Sequence, residues 1–262
     1  MILAVDVGNS NTTVGLFNGT GELLFRALLE TSRSKTRDQC AIELLGVFQL
    51  YGADACTVDG AILSSVVPPL TTIFTDAIAR LTGIPPMVVG PGIRTGLNIK
   101  AEIHNQLGSD IVASSVAAIA KYPSPIVMVD MGTATSLSLI VGSVYEGCII
   151  MPGLALALDA LSERAAALPP ISIETASPVG LMGHTTEEAM RSGVLYGHAS
   201  MVDGMLERIE ESIGQSVTTV ATGGNAPRIL RYCKRPIQYD ADLIMTGLYL
   251  LYQKNAKKYR KP

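Results

Sequence analysis

Two stretches of this chain carry residue types suited to gripping a phosphate. The first reads Asp6-Val7-Gly8-Asn9-Ser10-Asn11-Thr12-Thr13 and the second Asp130-Met131-Gly132-Thr133-Ala134-Thr135. Each follows an apolar run that reads as a buried strand, Ile2 to Val5 in one case and Ile126 to Val129 in the other. An aspartate where a strand leaves its sheet can hold a cation, because hard oxygen ligands suit Mg²⁺ or K⁺. Gly8 and Gly132 have no Cβ, so a phosphate can approach the backbone closely. Asn9, Ser10, Asn11, Thr12 and Thr13 then offer donors to phosphate oxygens, and Thr133 and Thr135 can do the same in the second copy. The two aspartates lie 124 positions apart in a chain of 262 residues. That spacing predicts two similar lobes, each presenting one turn to a shared nucleotide phosphate. Asp-x-Gly-Asn is also ordinary hairpin chemistry; the repetition of strand, aspartate and glycine is what favours the phosphate.

The cradle is of neither common glycine-rich design. No Gly-x-x-x-x-Gly-Lys-Ser/Thr occurs, and no Gly-x-Gly-x-x-Gly follows a strand and opens a helix. Composition narrows the rest. A hydrophobic content of 48% with no Trp fits an α/β core of Ala, Val, Leu and Ile. A net charge of −3 gives no sign of nucleic-acid binding. Cys40, Cys56, Cys148 and Cys233 are scattered, without the spacing of a zinc site or a disulfide framework. The expectation is a cytoplasmic protein: the chain opens directly on a strand, and an uncharged run such as Met131 to Tyr145 is too short and polar to span a bilayer.

The elements that would position these turns follow from periodicity and punctuation. Strands are expected at 2–6, 12–18, 22–30, 61–66, 87–89 and 217–221, and the second lobe repeats the strand pattern from Ile126. Helices are expected at 36–51, 70–82, 109–121, 154–167, 186–212 and from about 242 to 257, with a break in the fifth near Gly193 or Gly197. Thr185-Thr186-Glu187-Glu188 reads as a cap with an acidic first turn. The stretch from Gly90 to Gly108 is long and irregular, a length usually given to function or disorder. The basic tail (Lys254, Lys257, Lys258, Arg260, Lys261) reads as the solvated end of the last helix. Lobes of residues 1–120 and 121–262 are expected.

The tandem Asp-x-Gly turns, with Thr222-Gly223-Gly224, resemble the actin/Hsp70/sugar-kinase superfamily. Within it the chain is similar to type III pantothenate kinases, the family that includes the Bvg accessory factor proteins. The likeness runs nearly end to end, through Gly108-Ser109-Asp110, Ile150-Met151-Pro152-Gly153, Ala160-Leu161, Leu168-Pro169, Gly183-His184-Thr185-Thr186 and Gly247-Leu248. It implies an actin-like ATPase fold, with two ribonuclease-H-like lobes and a nucleotide cleft between them. It also implies a reaction, ATP plus pantothenate giving ADP plus 4′-phosphopantothenate, the first step toward coenzyme A.

The resemblance carries roles to particular residues. ATP is expected at Asp6, Val7, Gly8, Asn9, Ser10, Asn11, Thr12 and Thr13, at Thr133, and at Gly223 and Gly224. Asp110 stands where the family's aspartate takes the proton of the substrate hydroxyl, although from its position alone it can equally cap the helix at 109–121. Pantothenate is expected at Ala101, Gly108, Ser109, Asp110, Ile111 and Thr186. A monovalent cation, K⁺ or NH₄⁺, is implied at Asp130, with Mg²⁺ accompanying ATP. The family works as a homodimer, and neither nucleic acid nor membrane is an expected partner. Four positions depart from the family pattern: Ile111 replaces an Arg, Ala101 a Tyr, His184 a common basic residue, and Glu146 the first glycine of a pair. Those departures keep a second class open, a nucleotide-binding regulator or a kinase of another small alcohol with an altered acceptor pocket.

Overall fold

The first strand, β1 (Ile2–Val7), is buried along its whole length, as an uninterrupted apolar run must be when helices cover both faces of its sheet. The computed structural model describes residues 1–100, 107–173 and 179–256. Ala101, His104 and the tail lysines and arginine from 257 on lie outside them. The chain divides into two compact units, Met1–Lys121 with Asp242–Pro262, and Tyr122–Ala241.

In the first unit β1, β2 (Asn11–Phe17) and β3 (Leu23–Glu30) form an antiparallel meander. Beyond β1, β4 (Gly60–Ser65) and then β5 (Met87–Val88) add in parallel, giving the order β3-β2-β1-β4-β5. Helix α1 (Arg37–Leu50) opens on a capping box between Thr36 and Gln39. Helix α2 (Pro68–Thr82) carries Pro68 in its first turn and ends on Gly83 at φ 72°. These two helices pack Leu44, Phe48, Leu70, Phe74 and Ile78 against Leu3, Val5, Val7 and Leu63. A short strand, β6 (Asn98–Ile99), precedes α3 (Ser109–Lys121).

The second unit repeats the plan. β7 (Ile126–Met131), β8 (Ala134–Val141) and β9 (Val144–Pro152) form a meander, and β10 (Thr218–Thr222) and β11 (Gln238–Tyr239) add in parallel beyond β7. The order β9-β8-β7-β10-β11 thus matches the first unit strand for strand. Between β9 and β10 run α4 (Leu154–Arg164) and α5 (Thr186–Ile213). Helix α6 (Ala226–Leu230) separates β10 from β11.

Helix α5 runs unbroken for 28 residues, where a break near Gly193 or Gly197 was expected. A buried stripe of Met190, Val194, Leu195, His198, Val202, Leu206 and Ile209 holds it at helical spacing. The capping box between Thr185 and Glu188 starts it and Gly214, at φ 68°, stops it.

The last helix, α7 (Leu243–Asn255), belongs with the first unit, whereas the sequence boundary at 120/121 left it with the second. Its Met245, Leu248, Leu251 and Tyr252 join Ile2, Ala4, Ile62, Met87, Ala113 and Val116 in one core. Gly247 lets the two helices touch, since a Cβ there would collide with the Ala113 backbone of α3. Among the described residues no helix is long and apolar enough to cross a membrane.

Candidate active site

In the first unit the Asp-x-Gly stretch is a hairpin turn between β1 and β2. Gly8 N–H donates to Asn11 O at 3.0 Å, and a Cβ on Gly8 would lie 2.9 Å from that oxygen. Asn9, Ser10 and Asn11 are exposed at its tip. Behind them, Thr31 N–H donates to Ser10 O at 3.0 Å, and the hydroxyls of Thr12 and Thr31 meet at 2.8 Å. Thr12 is therefore buried in a side-chain pair, Val7 is fully buried, and Thr13 is half-buried; the outward donors of the turn are Asn9, Ser10 and Asn11.

Strand alternation places the carboxylates. Ile2 and Ala4 face the core made with α3 and α7, so Asp6, two residues further, faces the same side. Asp6 lies in register with Ser64 on β4, and the hydroxyls of Ser64 and Ser109 meet at 2.9 Å. Ser65 N–H also donates to Ser109 Oγ at 3.1 Å. Ser109 thereby fixes the first turn of α3 to the strand end beside Asp6. The next residue, Asp110, accepts a 2.8 Å bond from Ile111 N–H. It is not the helix cap but lies inside the first turn, and Gly108 leaves room that a Cβ would take from its carboxylate. Burial raises the Asp110 carboxyl above the usual aspartate range, against the opposing pull of the Ile111 N–H. A carboxylate held short of full solvation is a stronger proton acceptor, the property a general base needs. Ile111 is half-buried behind it.

In the second unit the matching turn is one residue shorter. Gly132 N–H donates to Ala134 O at 3.0 Å, and Thr133 is exposed. Two other motifs close on this turn. Gly223, at φ 91°, presses on the end of β7: a Cβ there would lie 2.6 Å from both Asp130 Oδ1 and the Met131 carbonyl carbon. Asn225 donates its backbone N–H to Met131 O at 3.0 Å and Nδ2 to Gly132 O at 3.2 Å. Gly153 lies against the other side, where a Cβ would collide with Thr133 O. Asp130, Thr133, Gly223 and Gly224 are thus assembled around one strand end. Thr186 lines an open groove of about 810 Å³ together with Leu168, Pro169, Pro170, Thr185 and Glu187.

Sequence reasoning gave no role to Ser64, Gly153 or Asn225. Ser64-Ser65 interrupts an apolar strand at its end, and Asn225 directly follows the glycine pair; both were readable as polar groups at strand ends.

The fold defines a class: the actin-like ATPase fold, here with an Asp-x-Gly hairpin turn in each unit and a buried carboxyl at the start of α3. The activator of the 2-hydroxyisocaproyl-CoA dehydratase from Clostridium difficile, solved with bound ADPNP, shares this fold. It superposes with a TM-score of 0.58 at 11% identity, over 100% of this chain and 98% of that one. The family model for type III pantothenate kinase matches residues 2–208. A type III pantothenate kinase of an Exiguobacterium species is 39% identical over 98% of this chain and 100% of its own length. One from Geobacillus thermodenitrificans is also 39% identical, over 98% and 99%. The chain belongs to the type III pantothenate kinase family.

Proposed function

We propose that this chain transfers the γ-phosphoryl group of ATP to the primary hydroxyl of pantothenate, opening coenzyme A biosynthesis in the cytoplasm. One observation carries the reading: the Asp110 carboxylate, raised by burial, is pinned through Ser109 to the strand end that bears Asp6. In the proposed reaction Asp110 accepts the hydroxyl proton as the alcohol oxygen bonds to phosphorus and ADP leaves. Asn9, Ser10, Asn11 and Thr133 supply donors to the phosphates, and Gly223-Gly224 admits the adenosine. Positioning and charge neutralisation supply most of such catalysis.

The donor set at Asp130 fits a monovalent cation: one half-buried carboxylate lies beside backbone that only glycine at 223 allows so near. Among the described residues no three His, Cys, Asp or Glu side chains gather as a metal cage. Mg²⁺ is accordingly assigned to the triphosphate, its usual mode of binding in kinases. We assign the partner to a second copy of the chain. Leu181 and Met182, exposed beside Gly193 and Gly197 of α5, offer it an apolar face.

Ile111, standing where the family has Arg, favours a second reading in which the acceptor is another small alcohol, or is absent. Coupled ADP release, measured with pantothenate, with other small alcohols and with neither, in K⁺ and in Na⁺, separates these. Pantothenate-dependent turnover that falls in Na⁺, and loses its K⁺ response in Asp130→Asn, is expected. ATP binding without pantothenate-dependent turnover would defeat the kinase reading.

A further inference from the structure

The second phosphate turn has a support that none of its motifs names. His198 lies in the middle of α5, 3% exposed. Its Nδ1 is 2.9 Å from Val194 O, one turn back on the same helix, and its Nε2 is 3.0 Å from Pro152 O, 46 positions away in sequence. A neutral imidazole carries one N–H and can satisfy one carbonyl. Val194 O already serves the backbone ladder of α5. The tautomer with hydrogen on Nε2 is therefore the one that adds a tertiary bond, from α5 to the end of β9.

Pro152 pairs with Ala134, the first residue after the turn, and Gly153 follows it. Gly153 is buried against the carbonyls of Gly132 and Thr133; a Cβ would come within 2.7 Å of Gly132 O. Asn225 holds the same Gly132 O from its own side. We propose that His198 is a positioning residue for the Gly132-Thr133 turn, its Nε2–H holding Pro152 O so that Gly153 stays seated beneath the turn. His198 touches no reacting atom. It acts through Pro152 and Gly153, and loss of the bond loosens the donors that the exposed Thr133 edge presents. The inference rests on the reading of that turn as part of the ATP site.

Gln and Asn separate the two ring nitrogens. A Gln amide nitrogen falls near the place of Nε2 and keeps the bond to Pro152 O. An Asn amide nitrogen falls near Nδ1 and keeps only the contact with Val194 O. His198→Phe fills the space with no donor and supplies the comparison if the Asn variant does not fold. ATP affinity is measured by titration without acceptor, alongside KM for ATP and for pantothenate and the melting temperature. Asn and Phe are expected to weaken ATP binding roughly five- to tenfold, with Gln within about twofold of wild type. The KM for pantothenate should stay put in all three. Equal ATP affinity in Gln, Asn and Phe, or a loss shared equally by ATP and pantothenate, overturns the proposal and leaves His198 as packing alone. A wild-type chain without ATP affinity overturns the nucleotide reading and this one together, whereas wild-type binding with indistinguishable variants overturns this one only.

Discussion

The two hairpin turns are built on one plan and differ in what stands behind them. Asp6 and Asp130 occupy equivalent strand positions, opposite Ser64 in one sheet and Thr222 in the other. Behind the first turn are a serine pair and the start of α3, which bring in Asp110. Behind the second are Gly223, Asn225 and Gly153, which bring in backbone. The first turn also has one more residue and an exposed tip of Asn9, Ser10 and Asn11. One scaffold thus differs in what packs on its strand ends: the first unit has a titratable side chain and exposed donors, the second a close-packed, glycine-lined bed.

The largest effect should fall on the first unit. Asp110→Asn is expected to lower kcat by about two to four orders of magnitude while ATP affinity stays nearly constant. The same change should raise the melting temperature. Burial lifts the folded pKa of this carboxyl above its unfolded value, so the ionised form costs stability at neutral pH. That cost disappears as pH falls through the folded pKa toward the unfolded one. The gain from Asn should therefore be present at pH 7 and gone below about pH 4, the ordinary aspartate range. For activity the sign is opposite: the base must be ionised, so the acid limb of kcat/KM should lie above that range, and the residual activity of the Asn variant should lack the limb. Unchanged kcat, or a limb that survives in the variant, would remove Asp110 from the chemistry.

A smaller contrast tests the close-packed bed against the exposed tip. Gly223→Ala meets both a left-handed backbone and the end of β7, and should cost about 2–4 kcal/mol of stability. Gly8→Ala meets only Asn11 O and should cost about 1 kcal/mol, with its main effect on ATP affinity. Denaturant unfolding of both variants decides it. Equal losses would mean that the two turns are equally buttressed.

How much of this was readable beforehand follows a physical line. The strand ends, the cap at Thr185 and both turns were legible because their causes are local: period, caps and glycine. The place of α7 was not, because its partner is α3, more than a hundred residues away, and only the Gly247–Ala113 approach selects it. The continuity of α5 through Gly193 and Gly197 was also misjudged. Local propensity argued for a break, and a buried stripe on the opposite face outweighed it. At the site, the aspartates and glycines were visible by type, whereas Ser64, Asn225 and Gly153 act through contacts across the sheet, which no spacing along the chain encodes.

The smallest and sharpest test compares two threonines in the same structural position. Thr12 lies opposite Val7 and Thr135 opposite Met131, each one residue past its aspartate, and each is 1% exposed. The Thr12 hydroxyl pairs with Thr31; among the described residues the Thr135 hydroxyl is buried with no partner. An unsatisfied buried hydroxyl is a cost, and a satisfied one a modest gain. Thr12→Val should therefore lower stability by about 1 kcal/mol, since it strands Thr31, and Thr135→Val should leave it unchanged or raise it by up to about 1 kcal/mol. At 1% exposure the Thr135 hydroxyl is out of reach of a phosphate, so its removal should also leave ATP affinity within about twofold. A marked loss of ATP binding in Thr135→Val, without loss of stability, would mean that the second turn opens to let its ligand reach this hydroxyl, and the contrast between a close-packed bed and an exposed tip would have to be given up.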